Sequence, residues 1–407
     1  DNNLSLEGKR KEIQKSKYGV SENRSKLLPQ INAIAGYNNN FDPPVSVTDG
    51  SSYGVPYNIT KTLQHSANAG LEMQMPLFNQ TLYTSMSIAK VMEEISRLSY
   101  GKAREDVILQ ISKMYYLGQV TAEQIMLIKA NITRLEELRD ITQAFFDNGM
   151  SMEVDLKRVN INLENLKVQY DNAQAMMKQQ LNMLKYIMDY PAEKEIALTP
   201  VNTDSITTVA LTGLSENIYE LQLSQSQVQL AERQKKIIAN GYIPSLSLTG
   251  SWRYAAYTDK GYHWFHSGPS NQWFRSYGVG LTLRIPIFDG LDKTYKIKKA
   301  MIDIENKRLA WEDARKNLQT QYLNAVNDLM NNQRNFKKQK DNYLLAEDVY
   351  AVTSDRYREG IASMTEVLQD EMQMSEAQNN YISAHYNYRV TNLMLLKLTG
   401  QIESLVK

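Results

Sequence analysis

The chain has 407 residues, with 46 Lys and Arg against 45 Asp and Glu, for a formal net charge of +1. Charge this balanced argues against a nucleic-acid partner, which would show a basic excess. There is no Cys and only 4 His, which excludes thiolate metal sites, disulfides and cysteine nucleophiles; no run approaches the roughly 18 apolar residues of a transmembrane helix.

Residues 28–41 read as a strand of imperfect alternation. From Leu63 to Leu77 the odd positions are Leu, His, Ala, Ala, Leu, Met, Met and Leu, while Gln64, Ser66, Asn68, Gly70, Glu72 and Gln74 alternate with them. A period of two predicts a strand. Residues 80–148 contain no Pro and only Gly101 and Gly118 as interior glycines, so they read as one helix of about 70 residues and about 100 Å. The turn Asp147-Asn148-Gly149-Met150 follows, its glycine suited to a left-handed helix end. In the return helix, residues 151–189, Leu156, Val159, Leu163, Leu166, Tyr170, Ala173 and Met177 keep coiled-coil spacing. Residues 190–215 form the breaker-rich polar link between the halves. Strand alternation returns at Leu246, Leu248, Gly250, Trp252, Tyr254 and Ala256, and again from Tyr277 to Ile287. Residues 291–359 hold neither Gly nor Pro and predict a second very long helix, with Tyr322, Leu329, Phe336, Tyr343, Tyr350 and Tyr357 at strict sevens. That period implies left-handed supercoiling and places the rings in helix packing. The turn Arg358-Glu359-Gly360-Ile361 leads into a return helix over 362–399, and 401–407 is a tail.

The two halves repeat each other. Leu28-Pro29-Gln30 corresponds to Ile243-Pro244-Ser245 at an offset of 215, and Pro76-Leu77-Phe78-Asn79 to Pro286-Ile287-Phe288-Asp289 at 210. An ungapped offset of 211 then pairs Phe146 with Tyr357, Gly149 with Gly360, Asp155 with Glu366, Tyr170 with Tyr381 and Asp189 with Gly400. The chain therefore divides into a first repeat (1–189), a linker (190–215), a second repeat (216–400) and the tail. Between the first two anchors the first repeat is longer by five residues, which a surface loop would absorb.

Strands of about 10–15 residues are long enough to cross a bilayer when tilted. A soluble four-stranded sheet would have nothing of its own to cover its apolar face. Three of the four tryptophans, Trp252, Trp264 and Trp273, fall in one strand–loop–strand segment with Tyr254 and Tyr277. Amphipathic rings gather in this way where a barrel leaves the hydrocarbon. Open sheet edges are not tolerated in lipid, so a chain with four strands must close its barrel with other copies. Two copies would give eight strands and a filled interior, three would give twelve and a lumen. A hollow helical extension favours three. The expected fold is mainly α with a membrane β-barrel portion.

The Leu-Pro-Gln lead-in to a strand, the Pro-[Leu/Ile]-Phe-[Asn/Asp] step into a long helix, and the turn glycine followed six residues later by a carboxylate occur in order along the chain. In these features it resembles the TolC-like outer-membrane factor family, the exit ducts of bacterial tripartite efflux pumps and type I secretion systems. The resemblance implies a homotrimer with a 12-stranded barrel in the outer membrane and a 12-helix tunnel in the periplasm. It implies partnership with a periplasmic adaptor and an inner-membrane transporter, contact with outer-membrane lipid, and no cofactor. The turns Asn148-Gly149-Met150 and Glu359-Gly360-Ile361 would dock the adaptor. Asp155 and Glu366 would form rings of pore carboxylates, in which convergence raises pKa and attracts cations. Gln369 stands where the family has a second carboxylate, with Asp370 beside it. Tyr357 matches a tyrosine that holds the closed tip by bonding the carboxylate here supplied by Asp155. The arginine that joins this lock in the family falls at Ala362, leaving Arg356 or Arg358 as substitutes. Pairing Pro29 with Pro244 sets Asp1 on Glu216, so the native protein is expected to continue upstream into an equatorial segment and an export signal.

Two other function classes are weighed beside this one. A coiled-coil envelope scaffold would explain the heptads but not the strands or the aromatic belt. An enzyme would need chemistry the chain does not show. His263-x-x-His266 lacks a nearby carboxylate to complete a metal site, and there is no phosphate-binding glycine loop, nucleophile elbow or HExxH.

Overall fold

A computed structural model of the chain describes residues 3–49, 51–200, 213–259 and 273–406. The fold is mainly α-helical with a four-stranded antiparallel sheet. Helix α1 (Leu4–Ser25) leads into strand β1 (Gln30–Asn39), the short strands β2 (Val45–Asp49) and β3 (Tyr57–Lys61), and strand β4 (His65–Phe78). Helices α2 (Gln80–Asp147) and α3 (Glu153–Met188) follow. The second half repeats the order with α4 (Tyr219–Asn240), β5 (Ser245–Thr258), β6 (Trp273–Arg284), α5 (Asp292–Arg358) and α6 (Met364–Leu398).

Local chemistry sets the boundaries. In the Pro-Leu-Phe-Asn step, Asn79 Oδ1 accepts from the Thr81 and Leu82 amides at 3.0 and 3.4 Å, satisfying donors that open α2. At the matching step, Asp289 Oδ2 accepts from the Lys293 amide at 3.2 Å. Strand β6 stops at Arg284, short of the expected Ile287, where its partner β5 begins at Ser245 and the preceding Pro244 has no N–H to extend the ladder. Helix α3 ends at Asp189, which is left-handed at φ 52°, and its counterpart Gly400 takes φ 71°.

Two compact units emerge, and they cut across the repeats. One comprises Asp1–Ile13, Ser96–Gln225 and Leu309–Lys407; the other comprises Gln14–Ile95 and Ser226–Arg308.

The first unit holds helices and connecting segments, with no strand among its described residues, and packs them around buried apolar clusters. Around the two helix turns, Leu135, Leu138, Val159, Leu163, Val367 and Met374 are almost wholly buried and pack together. The sevens-spaced stripe of α5 joins this packing: Tyr350 and Tyr357 lie in that cluster, and Tyr322 and Leu329 in another. Phe336 and Tyr343 stack on Tyr381 of α6, with ring centroids 5.8 and 5.6 Å apart. Beside the apolar stripe of α6 runs a second one, also spaced by seven, made of the buried polar residues Glu371, Gln378, His385 and Asn392. It meets side chains of α2. Gln378 accepts from Asn131 Nδ2 at 2.7 Å, and His385 Nδ1 lies 3.4 Å from Glu123 Oε2. The other imidazole nitrogen of His385 accepts from Arg389 at 3.2 Å. Asn392 donates to the Tyr388 carbonyl at 3.3 Å.

The second unit carries the sheet, in the order β1-β4-β5-β6. Its register aligns Ala33, Leu71, Trp252 and Tyr277 in one row, and Ile31, Met73, Gly250 and Val279 in the next. These rows belong to one apolar face. Rows of the opposite face read Gln30, Gln74, Thr249, Gly280 and Asn32, Glu72, Ser251, Gly278. The expected surface loop of the first repeat contains the hairpin β2–β3, whose register sets Val47 against Ile59 and Asp49 against Tyr57.

Candidate functional site

The helix turns of the first unit carry most of the residues singled out by sequence. In the first, Gly149 has φ 73°; its amide donates to the Phe146 carbonyl at 2.9 Å, and the Met150 amide to Phe145 at 2.7 Å. In the second, Gly360 has φ 77°, with matching bonds from Gly360 to Tyr357 at 2.9 Å and from Ile361 to Arg356 at 2.8 Å. Both are Schellman ends, in which a left-handed glycine lets the final carbonyls find donors. Asn148 Nδ2 adds a bond to the Ala144 carbonyl at 2.7 Å. Each turn leaves an apolar side chain exposed, Met150 at 66% and Ile361 at 63%. Glu359 is exposed beside Ile361.

Beyond the turns the two carboxylates differ. Glu366 closes a capping box: its carboxylate accepts from the Ser363 amide at 2.8 Å, and its own amide donates to Ser363 Oγ at 3.3 Å. Those bonds hold the Glu366 carboxyl below the usual carboxylate range. Within the single chain this is the reverse of the upward shift expected from converging like charges, because the local bonds favour the ionised form. Asp155 lies 3.4 Å from Arg158 Nη1, which also reaches Thr365 Oγ1 of α6 at 3.3 Å. Gln369 is exposed and Asp370 half-buried. Arg158, Ile161, Leu368, Gln369 and Met372 line a groove of about 390 Å³ between α3 and α6.

Tyr357 departs from the expected bond. Its hydroxyl donates to Thr142 Oγ1 at 3.3 Å, and its ring packs against Phe145 with centroids 5.6 Å apart. Burial raises the phenol pKa, the Thr142 bond opposes that rise, and the nearby Asp155 charge adds to it. Asp155 thus acts on Tyr357 through its field, while its own ion pair is with Arg158. Of the two suggested substitute arginines, Arg358 lies 3.4 Å from both Glu137 and Asp355, while the Arg356 charge helps to hold the Glu366 carboxyl low.

Sequence reasoning missed Arg158, Thr142 and Glu371. Glu371, 5% exposed, has no hydrogen-bond partner on Oε1. Burial raises its pKa against the lowering field of Arg134. A polar seven-residue spacing from Glu371 to Asn392 was the available signal for it.

In the second unit the structure brings four of the five belt aromatics to one end and one face of the sheet. Trp252 stands opposite Tyr277, Tyr254 opposite Arg275, and Trp273 opposite Ala256; Trp252 and Tyr254 meet edge-on at 5.7 Å. The remaining part of that face is mainly aliphatic, with Val279 80% and Leu281 67% exposed, and it also carries Arg275, Tyr37 and His65. Trp264 and the pair His263 and His266 lie outside the described residues. Among the described residues there is no cluster of three or more His, Asp or Glu able to hold a metal ion.

Comparison with known proteins bears on both units. The family model for outer membrane efflux proteins matches residues 1–188 and 210–401. The outer membrane protein TolC of Vibrio cholerae is 21% identical over 399 residues, covering 94% of this chain and 84% of that protein. The toluene efflux pump outer membrane protein TtgC of Pseudomonas putida is 23% identical over 379 residues, covering 88% and 75%. Among solved structures, the outer-membrane channel OprN superposes with a TM-score of 0.79 at 14% identity, covering 98% of this chain and 87% of that one. CusC gives 0.80 at 16% identity, covering 98% and 89%. These likenesses show a TolC-like fold.

Proposed function

Because the chain belongs to the outer membrane efflux protein family, we propose that it is the outer-membrane exit channel of a tripartite efflux pump, working as a homotrimer. Family membership supports an outer-membrane location. The relatives are channels and efflux components, which supports a transport role over an enzymatic one.

The observation that carries this reading is the two-sided sheet. One face is mainly aliphatic with an aromatic end, the other mainly polar except near the Tyr257 and Phe274 end, and the edge strands β1 and β6 have no further partner in the described sheet. Unpaired backbone groups in hydrocarbon cost several kcal/mol each, so a lipid-facing sheet must close. Three copies supply twelve strands and a wet interior. The helical units then form the periplasmic duct. Their turns at Asn148, Gly149, Met150, Glu359, Gly360 and Ile361 dock an adaptor that joins the duct to an inner-membrane transporter. Exposed Met150 and Ile361 give that contact its apolar anchors. Asp155, Tyr357, Glu366, Gln369 and Asp370 act near the same end as the gate, with Arg158 in the role assigned by sequence to other arginines. Trp252, Tyr254, Trp264, Trp273 and Tyr277 form the girdle against lipid.

Mass measurement in detergent, followed by planar-bilayer recording, tests the reading. A trimer that conducts ions is the expected result. A monomer or dimer as the sole species, or a trimer that never conducts, would overturn it.

A further inference from the structure

The polar face of the sheet contains one built charge pair. Arg253 Nη2 lies 2.6 Å from Glu72 Oε1, both side chains being about half exposed. The two residues sit in neighbouring rows on adjacent strands: Glu72 is opposite Ser251, and Arg253 opposite Gly70. Arg284, the last residue of β6, is the other charge on this face of the described sheet, while Arg275 lies on the apolar face beside Tyr277.

The surroundings are shaped for this pair. A side chain at Gly70 would run into the Trp252 carbonyl oxygen and come within 2.8 Å of Arg253 Cα. Glycine therefore allows the close strand approach across which Arg253 reaches Glu72. Arg253 Nε is buried without a hydrogen-bond partner, so the guanidinium lies along the wall and presents only its outer nitrogens. The pair lines a groove of about 470 Å³ with Asn32, Gln74, Thr249 and Ser251. None of these neighbours carries a charge to bias it.

We propose that Glu72 and Arg253 form a charge-balanced collar on the water-facing wall of the sheet, which keeps the stretch of wall around the pair, away from Arg284 at the end of β6, from selecting between cations and anions. The inference rests on the channel reading above and assigns to the strand region a selectivity element separate from the helix turns. Opposite charges in contact cancel at a distance, so ions of either sign meet no net field from the pair. Removing one partner exposes the other, and symmetry repeats the exposed charge around the lumen, where rings of like charge select ions.

The test is reversal potential in asymmetric KCl across planar bilayers. Glu72→Gln should shift the permeability ratio at least about twofold toward anions, and Arg253→Gln about as far toward cations. The double variant should return close to the starting ratio. Conducting channels with unchanged ratios in both single variants would overturn the collar while leaving the channel reading intact; absence of conductance in the unaltered protein would overturn the channel reading itself. Folding of the charge variants need not decide the matter. Ser251→Cys provides a unique thiol in a chain with no cysteine, and a membrane-impermeant cationic thiol reagent should lower conductance in up to three steps. Failure of that thiol to react in an open channel would overturn the proposal, because the wall beside Glu72 would not face water.

Discussion

Helices α3 and α6 occupy matching places in the two repeats, and both follow a Schellman turn, yet the chain buries them to different depths. Six residues of α3 are buried against fifteen of α6. Four positions are shared under the 211-residue offset: Leu163 with Met374, Ala173 with Ala384, Leu184 with Leu395, and Ile187 with Leu398. That common set is the seam each return helix needs. The additional burial in α6 includes the polar stripe against α2. By contrast, α3 leaves Ile161, Val168 and Met176 more than half exposed. A repeated sequence has preserved one packing face and diverged on the others, where the neighbours differ.

Truncating the shared seam tests its equivalence with the largest expected effect. Leu163→Ala and Met374→Ala should each cost about 2–5 kcal/mol in denaturant unfolding, since both side chains are buried and leave a cavity. A loss at Met374 with none at Leu163 would show that the seam is not common to the two repeats.

The next test concerns the divergent face. Glu371 is buried with its pKa raised, whereas its counterpart Asn160 is exposed. A carboxyl whose folded pKa is raised favours the folded state while protonated; that contribution is lost as pH rises from the unfolded value through the folded one. Glu371→Gln should therefore match the parent at pH 4 and exceed it by about 1–3 kcal/mol at pH 8, the scale of an unsatisfied buried polar group. Asn160→Asp should produce no such divergence. Parallel stability–pH curves for the parent and Glu371→Gln would refute the assignment.

The smallest effect belongs to the helix starts. Ser363 caps α6 through its side chain, while Met152 begins α3 with an extended backbone and no side-chain cap bond. Ser363→Ala should cost about 1 kcal/mol, and Met152→Ser should gain a similar amount, both read by thermal unfolding. Equal and negligible shifts would mean that the turns are held by their glycines alone.

The same contrasts explain what the sequence made legible. Long breaker-free tracts and alternating runs identified the helices and the four-stranded sheet because each element repeats its own period over many residues. The β2–β3 hairpin was hidden: its strands are five residues each, and Pro43, Pro44, Gly50, Gly54 and Pro56 interrupt the alternation of Val45 with Val47 and Tyr57 with Ile59. At the turns, glycine positions were readable because left-handed backbone demands them. The partner of Tyr357 was not, since Thr142 lies 215 residues away and a hydroxyl leaves no period. The polar stripe of α6 was passed over because a heptad search looks for apolar groups.

That polar stripe has a consequence for how α2 and α6 can err. Aromatic and aliphatic groups recurring every seven residues would fit almost as well after sliding by one heptad, about 10 Å along the axis. The polar rungs are not interchangeable. Across from them α2 offers an acid at Glu123, an amide at Asn131 and a cation at Arg134, so a slide would set mismatched groups together and leave others dry and unpaired. The two helices fit like a key with unequal teeth: the apolar residues supply adhesion, and the sequence of acid, amide and imidazole at Glu371, Gln378 and His385 admits one depth of insertion.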